Sequence, residues 1–263
     1  MTKWDTVYGM VYPSLKTDDC ARDGERWDDL QNNGLKILQK VDGFRFGMDS
    51  VLLADFTRLK PRETVADLGT GSAILPFLLS QKEKTACFHA FEWQAEIADM
   101  AARSVRFNGL DDRITVHCGD LRDADQILGK ASVQAVVCNP PYGKKDTILP
   151  SESENKRLSK QETTCEITDI LTAAASILKN QGRLYMVFPS HRMLELFDGM
   201  RQNRLEPKRL RMVYAKASKA PYLLLAEAIK NAKPMLHWQP PLIVYREDGR
   251  ETEEIERIYA NKR

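Results

Sequence analysis

Asn139-Pro140-Pro141-Tyr142 ends the apolar run Val136-Val137-Cys138 with an amide, two imino acids and a phenol. A residue before proline is pushed toward extended geometry, so Pro140 keeps Asn139 out of any helix. The prolines restrict φ and offer carbonyls without N–H groups, leaving an acceptor free to face a ligand. An amide oxygen and a backbone carbonyl are what an exocyclic aromatic amine needs. The lone pair of such an amine is delocalised into its ring, and two acceptors on its N–H bonds orient it and increase its nucleophilic character. Tyr142 adds a flat surface for stacking, worth on the order of 1–3 kcal/mol per base. The implied catalysis is positioning for in-line displacement. The bland alternative is a proline-rich turn after a strand.

A donor for that amine is suggested upstream. In Ala66-Asp67-Leu68-Gly69-Thr70-Gly71-Ser72-Ala73-Ile74, two glycines follow an apolar strand and precede a helical run. Such a loop lets backbone approach a ligand closely and presents helix N–H groups. A dinucleotide fits poorly, because its fingerprint wants a small residue where Ile74 stands. Asp67 at the mouth of the turn would also repel a pyrophosphate, whereas it suits an ammonium group. A ligand with an amino-acid end and no phosphate, S-adenosylmethionine, fits better. Glu92 ends the next apolar run and can take both ribose hydroxyls through its two oxygens. Trp93 can lie against the adenine face, and Asp120, with Leu121 after it, can accept the adenine amine. Each acid alone could simply cap a following helix.

These residues require a scaffold that brings strand ends together. Short β-rich runs occur at 64–68, 86–92, 114–120, 134–140 and 183–189, separated by helical spacing at 73–82, 94–108, 122–129, 166–179 and 190–203. Such alternation predicts a parallel sheet with helices on both faces, binding ligands at its carboxyl edge. The runs at 210–215 and 222–230 lack a helix between them and read as an antiparallel pair finishing the sheet. Residues 26–41 read as an N-terminal helix after a short extension, and 143–164 as a polar substrate loop. The expectation is one α/β domain over 1–263, with its catalytic core from about residue 42.

Composition bounds the setting. The chain has 263 residues, 43% hydrophobic and 29% charged, with a net charge of +2. It is thus not a strongly basic nucleic-acid coat. Cys20, Cys87, Cys118, Cys138 and Cys165 contain no CxxC pair, which argues against a disulfide framework or a zinc site and fits a reducing cytoplasm. No signal peptide or membrane-length apolar run is present. His89, His117, His191 and His237 form no ligand pattern, and Cys138 reads as a small core residue. Basic residues cluster between Arg201 and Lys219, including Lys208, Arg209 and Arg211. Lys144, Lys145, Lys156 and Arg157 join them in the polar loop, where acids partly offset them. Such clusters suit phosphates of a polynucleotide.

The N-P-P-Y sequence after a G-x-G donor loop resembles amino-methyltransferases of adenine N6, cytosine N4 or glutamine amides. With "DDLQNNGLKILQKVDGFRFGMDSVLLADF" (28–56), "RLEPKRLR" and "PPLIVYREDG", the chain resembles the bacterial tRNA1(Val) (adenine-N6)-methyltransferase family from roughly Trp27 to Tyr259. That resemblance implies a class I, Rossmann-like sheet of seven strands, mostly parallel with one antiparallel. It also implies methyl transfer from S-adenosylmethionine to adenine 37, beside the anticodon of a valine tRNA. It carries Asp67, Gly69, Gly71, Glu92 and Asp120 over to the donor, and Asn139 to Tyr142 to the amine. Phe46, Gly47 and Asp49 match a segment that closes over the methionine end. Two departures bear on the substrate: Gln161-Glu162 stands for a His-Glu pair, and "KAPYLLLAE" for a more polar approach to a late strand. Ribosomal RNA, DNA or a protein glutamine remain as alternative substrates, and a non-catalytic RNA-binding module as an alternative class.

Overall fold

The apolar runs that precede each acid become the strands of one sheet in the computed structural model, which describes residues 21–30, 34–42, 47–140 and 165–260. Strands β3 (Thr64–Leu68), β4 (Cys87–Glu92), β5 (Ile114–Cys118), β6 (Val133–Cys138) and β7 (Leu178–Pro189) are parallel neighbours in the order β7-β6-β3-β4-β5. β9 (Pro221–Lys230) runs antiparallel between β7 and β8 (Leu205–Tyr214). This is the expected seven-stranded sheet with one reversed strand. Two two-residue strands, β10 (His237–Trp238) and β11 (Leu242–Ile243), lie parallel to β8 and bring the total to nine.

Helices cover both faces. α1 (Met48–Phe56), α2 (Ile74–Lys82), α3 (Ala95–Phe107) and α7 (Glu253–Ala260) pack on one face around Val65, Phe88, Val137 and Leu225. α4 (Ala124–Leu128), α5 (Ile167–Ile177) and α6 (Met193–Gln202) pack on the other, around Ala66, Phe91, Val136 and Leu224. Adjacent residues of a strand enter opposite layers, as pleating requires. Because both faces are covered, the central strands are apolar throughout instead of alternating.

The N-terminal segment differs from expectation. Residues 26–41 form no helix among the described residues; β1 (Glu25–Asp29) pairs antiparallel with β2 (Lys36–Lys40). Trp27, Leu30, Leu35 and Leu38 are spaced like one face of a helix, but Asn33-Gly34 between the halves is hairpin chemistry. Tertiary contacts decide the outcome. Ile37 and Leu38 are fully buried, and the Leu38 N–H donates to Ser104 Oγ of α3 at 2.8 Å. Arg103 of α3, itself buried, donates to both oxygens of Glu25, at 2.9 and 2.6 Å.

The chain reverses its direction of travel across the sheet between β3 and β6. From β3 it moves outward through β4 and β5, then crosses back to place β6 on the other side of β3. Open α/β sheets bind ligands in the crevice at such a switch point.

Candidate active site

Register fixes what meets at that crevice. Asp67 is paired with Val137 across β3 and β6, so Asn139, two residues on, is level with Gly69. The strands are adjacent, about 4.8 Å apart. The loop after β3 turns through Gly69 at φ 79° and Gly71 at φ 56°, left-handed values that disfavour side chains. A Cβ added at either glycine would meet nothing within 4 Å among the described residues, so they leave the space in front of the loop open. Phe91 O anchors the loop by accepting from Gly69 N and Thr70 N, at 3.0 and 2.8 Å.

Asp67 is 1% exposed. Its Oδ2 accepts from Thr70 Oγ1 at 2.5 Å, while Oδ1 is buried with no hydrogen-bond partner among the described residues. Burial pushes its carboxyl up to about 7; the Thr70 hydroxyl opposes the shift and nearby Glu92 adds to it. A buried, half-satisfied carboxylate is costly on its own and calls for a cation. Glu92 is also buried, and its oxygens accept from Gly71 N at 3.0 Å and Gln94 N at 2.9 Å. It thereby ties the end of β4 to the glycine loop. Burial raises its carboxyl, with those N–H groups opposing. Trp93 follows at 48% exposure.

Asp120 lies past β5, but its carboxylate is already engaged. Oδ1 accepts from Arg122 N at 2.9 Å and caps the one-turn helix Leu121–Asp123, while Oδ2 pairs with the Arg122 guanidinium. That pairing holds the carboxyl below its ordinary range. A ligand amine must share Asp120 with Arg122.

Across the crevice, Asn139 Nδ2 donates to Ser50 Oγ of α1 at 3.0 Å. With the nitrogen held there, the amide oxygen is turned to the other side of the group. Ser50 is buried, and its neighbour Asp49 sits in the first turn of α1 with its carboxyl raised by burial. Gly47 precedes that turn in extended conformation. Phe46, Pro141, Tyr142, Lys144, Lys145, Lys156 and Arg157 lie outside the described residues. Ser50 had no sequence signal as a partner of Asn139, because 89 positions separate them. Thr70 was readable only as the middle of a G-T-G turn.

The basic stretch after residue 200 is not one surface. Arg209 is buried; it donates to Glu227 at 2.6 Å and Phe56 O at 2.8 Å, with its guanidinium 3.8 Å above the Phe56 ring. Arg211 donates to Pro240 O at 3.0 Å and Glu254 at 2.7 Å, and Lys208 to Lys233 O at 3.1 Å. Expected as phosphate contacts, Arg209 and Arg211 are bound into the fold, because the strand pattern sends their side chains onto neighbouring elements. Arg201 and Arg204 precede β8 whereas Lys216 and Lys219 follow it, which separates them by a ten-residue strand. That is roughly 33 Å. Arg209→Ala should destabilise the chain by about 3–5 kcal/mol, by stranding Glu227. The salt dependence of RNA binding should stay unchanged; a shallower slope in titrations at several salt concentrations would make Arg209 a phosphate contact after all.

His89 Nδ1 and His117 Nε2 are 3.0 Å apart and share a hydrogen bond, with His117 stacked 4.7 Å from Phe91. Cys138 is buried, its thiol donating to Leu68 O at 3.0 Å. Among the described residues no group of three or more His, Cys, Asp or Glu is placed to hold a metal ion, and no helix is long and apolar enough to cross a membrane.

Known proteins resemble this chain in sequence and in fold. A family model described as "Methyltransferase small domain" matches residues 45–204. A Porphyromonas gingivalis protein named tRNA1(Val) (adenine(37)-N6)-methyltransferase is 26% identical over 197 residues, covering 73% of this chain and 76% of the relative. Proteins of the same name from Actinobacillus succinogenes and Mannheimia succiniciproducens are 26% and 27% identical over 80% of this chain, covering 86% and 84% of their own lengths. Among solved structures, a predicted O-methyltransferase from Agrobacterium tumefaciens superposes with a TM-score of 0.67 at 20% identity, covering 82% of this chain and 97% of that one. The P. horikoshii protein TYW2, in complex with MeSAdo, superposes with a TM-score of 0.55 at 16% identity, covering 80% and 73%. At these identities the likeness is one of fold.

Proposed function

Because the chain belongs to the methyltransferase small domain family, we propose that it transfers a methyl group from S-adenosylmethionine to the N6 amine of an adenine in tRNA. The adenine is position 37, next to the anticodon of a valine tRNA, as in the names of the relatives. The observation that carries the reading is Asn139, held by Ser50 level with an open glycine loop at the switch point of the sheet.

The residues fit the donor. Asp67, whose buried Oδ1 has no partner among the described residues, takes the ammonium of the amino-acid end, for which a half-satisfied carboxylate is suited. Gly69 and Gly71 give close backbone approach. Glu92 offers its two carboxylate oxygens to the ribose hydroxyls alongside the N–H groups of Gly71 and Gln94 that it accepts. Trp93 and Leu121 flank the adenine end, with Asp120 reading its amine alongside Arg122. Gly47 and Asp49, with Phe46 before them, cover the methionine end. When bound, this donor supplies an electrophilic methyl carbon on a positive sulfur.

On the acceptor side, Asn139 Oδ1 and the Pro140 carbonyl accept the two N–H bonds of the target amine and aim its lone pair at the donor side of the crevice. Pro141 stiffens the chain behind them, and Tyr142 stacks on the base. The work is orientation of a weak nucleophile, which in well-positioned systems removes several kcal/mol of barrier. An anticodon-loop base is already unpaired, so presenting it costs less than extruding one from a duplex.

Labelled methyl transfer to total tRNA, ribosomal RNA, DNA and protein, followed by nucleoside analysis, tests the reading. N6-methyladenosine is expected in tRNA; its absence from every RNA would overturn the proposal. Ser50→Ala should lower kcat about tenfold, the effect of losing one hydrogen bond of about 1–1.5 kcal/mol. KM for RNA and donor affinity should hold, and Ser50→Thr should restore most of the rate. A loss confined to KM would take Ser50 out of this role.

A further inference from the structure

Tyr222 is the second residue of β9, and β9 lies two strands from β6 in the sheet. It sits at the same carboxyl edge as Asn139, because β9 runs antiparallel and begins where its neighbours end. Register places it beside the end of β7, roughly 10 Å across the sheet from Asn139 and roughly 10 Å further out. It is 41% exposed. β11 pairs with β8 at Val213 and Tyr214, which in turn face Leu223 and Pro221 of β9, so Tyr245 just past β11 lies at the same end of the sheet as Tyr222. Burial first, and then Asp49, Tyr245 and Tyr259, push the Tyr222 hydroxyl up to about 12. Tyr245, just past β11, is 37% exposed, while Tyr259 belongs to α7 and packs into the core beside α1.

The cluster is held from several sides. Ser190 Oγ donates to Pro221 O at 2.6 Å, fixing the entry to β9. Lys216 Nζ donates to Glu247 O at 3.0 Å, tying the β8–β9 connection to the segment that carries Tyr245. It is also continuous with the amine site, since Asp49 beside Tyr222 precedes Ser50, the partner of Asn139. The mechanism above uses none of these tyrosines.

We propose that Tyr222 and Tyr245 form a stacking ledge for the unpaired nucleotide next to the methylated adenine. The proposal rests on the adenine reading and extends it. Rigid, half-exposed aromatic rings at the rim of a base pocket suit a base face, which every nucleotide offers. The nearby charges are mixed, with Lys216 and Lys219 on one connection and Arg246 and Arg250 interspersed with Glu247, Asp248 and Glu251 on the other, where Arg250 pairs with Asp248 and Arg246 with Glu253. Phosphate attraction is therefore weak here, and the ledge grips the ring instead of the backbone. Its contribution is accordingly insensitive to salt.

The test uses the full chain and a valine tRNA anticodon stem-loop, intact or abasic at one position flanking the target adenine. Tyr222→Ala should raise KM for the intact stem-loop about 5- to 150-fold, the equivalent of one stacking contact of about 1–3 kcal/mol. The factor should hold from low to moderate salt, and Tyr222→Phe should stay near wild type. On one of the two abasic stem-loops the penalty of Tyr222→Ala should vanish, as coupling between ring and base requires. Donor affinity by calorimetry should be unchanged in both variants, which also shows that they fold. An unchanged KM, an equal penalty on both abasic RNAs, or a loss of donor affinity in place of RNA affinity would overturn the ledge while the adenine reading stood. Failure of the unaltered chain to methylate the stem-loop would remove both.

Discussion

Asn139→Ala is expected to lower kcat by about 10²–10³-fold while S-adenosylmethionine still binds with near wild-type affinity. The size follows from removing one preorganised polar group aimed at the reacting centre. The selectivity follows from location, since Asn139 stands just past the end of β6, across the crevice from the glycine loop, Asp67 and Glu92. The amide is part-buried, and its Nδ2 is held by Ser50 at 3.0 Å, so its oxygen is oriented before any substrate arrives. Asn139→Asp makes the sharper comparison. It keeps the shape and an acceptor but loses the N–H that Ser50 accepts, so it should retain more activity than alanine and less than Ser50→Ala. Calorimetry for the donor and single-turnover methylation for the chemistry separate the two effects. Equal loss of binding and turnover in Asn139→Ala would place the residue in the donor pocket instead.

Asp67→Asn is expected to weaken donor affinity by about 10²–10³-fold, in the range seen when one partner of a buried charged pair is truncated. pH supplies the finer test. Folding raises this carboxyl from its ordinary 3.8 to about 7, chiefly by burial. A raised carboxyl binds its proton more tightly in the folded state, so the donor-free chain loses stability from this group as pH climbs from about 4 through 7. An ammonium ligand needs the ionised form and must expel the proton below pH 7. Wild-type donor affinity should therefore fall as pH drops from 7 toward 5, approaching tenfold per unit, and level off between about 7 and 8, above which the ligand amine itself begins to lose its proton. Asp67→Asn should abolish that slope. The variant should also melt no lower than wild type at pH 8 without donor, because it no longer buries a half-satisfied charge. A wild-type affinity independent of pH between 5 and 8 would show that Asp67 does not meet the ammonium.

Much of the fold was readable because its signals are local. The runs at 64–68, 86–92, 114–120 and 134–140 end within two residues of observed strands, and the long helical spacings at 94–108 and 166–179 are observed helices. The N-terminal hairpin was not, since Trp27, Leu30, Leu35 and Leu38 satisfy a helical period almost as well as two strands. Docking against Arg103 and Ser104 of α3 decided between them. Likewise, the positive charge after residue 200 was visible as composition, but composition has no direction. Alternation along β8 put Arg209 onto Phe56 and Glu227, and the length of the strand parted the lysines from the arginines.

The chemistry at each strand end is written in the linear order of residues: an acid before a glycine turn, an acid closing β4, an amide locked by prolines after β6. Those depend on residue type and immediate neighbours, which backbone sterics translate directly into geometry. Which ends share a crevice, which carboxylate is left half-satisfied and which is claimed by an arginine emerge from the folded chain. Folding likewise pairs Ser50 with Asn139 across 89 positions. Packing and burial set those outcomes, and they act between residues that the linear order keeps apart.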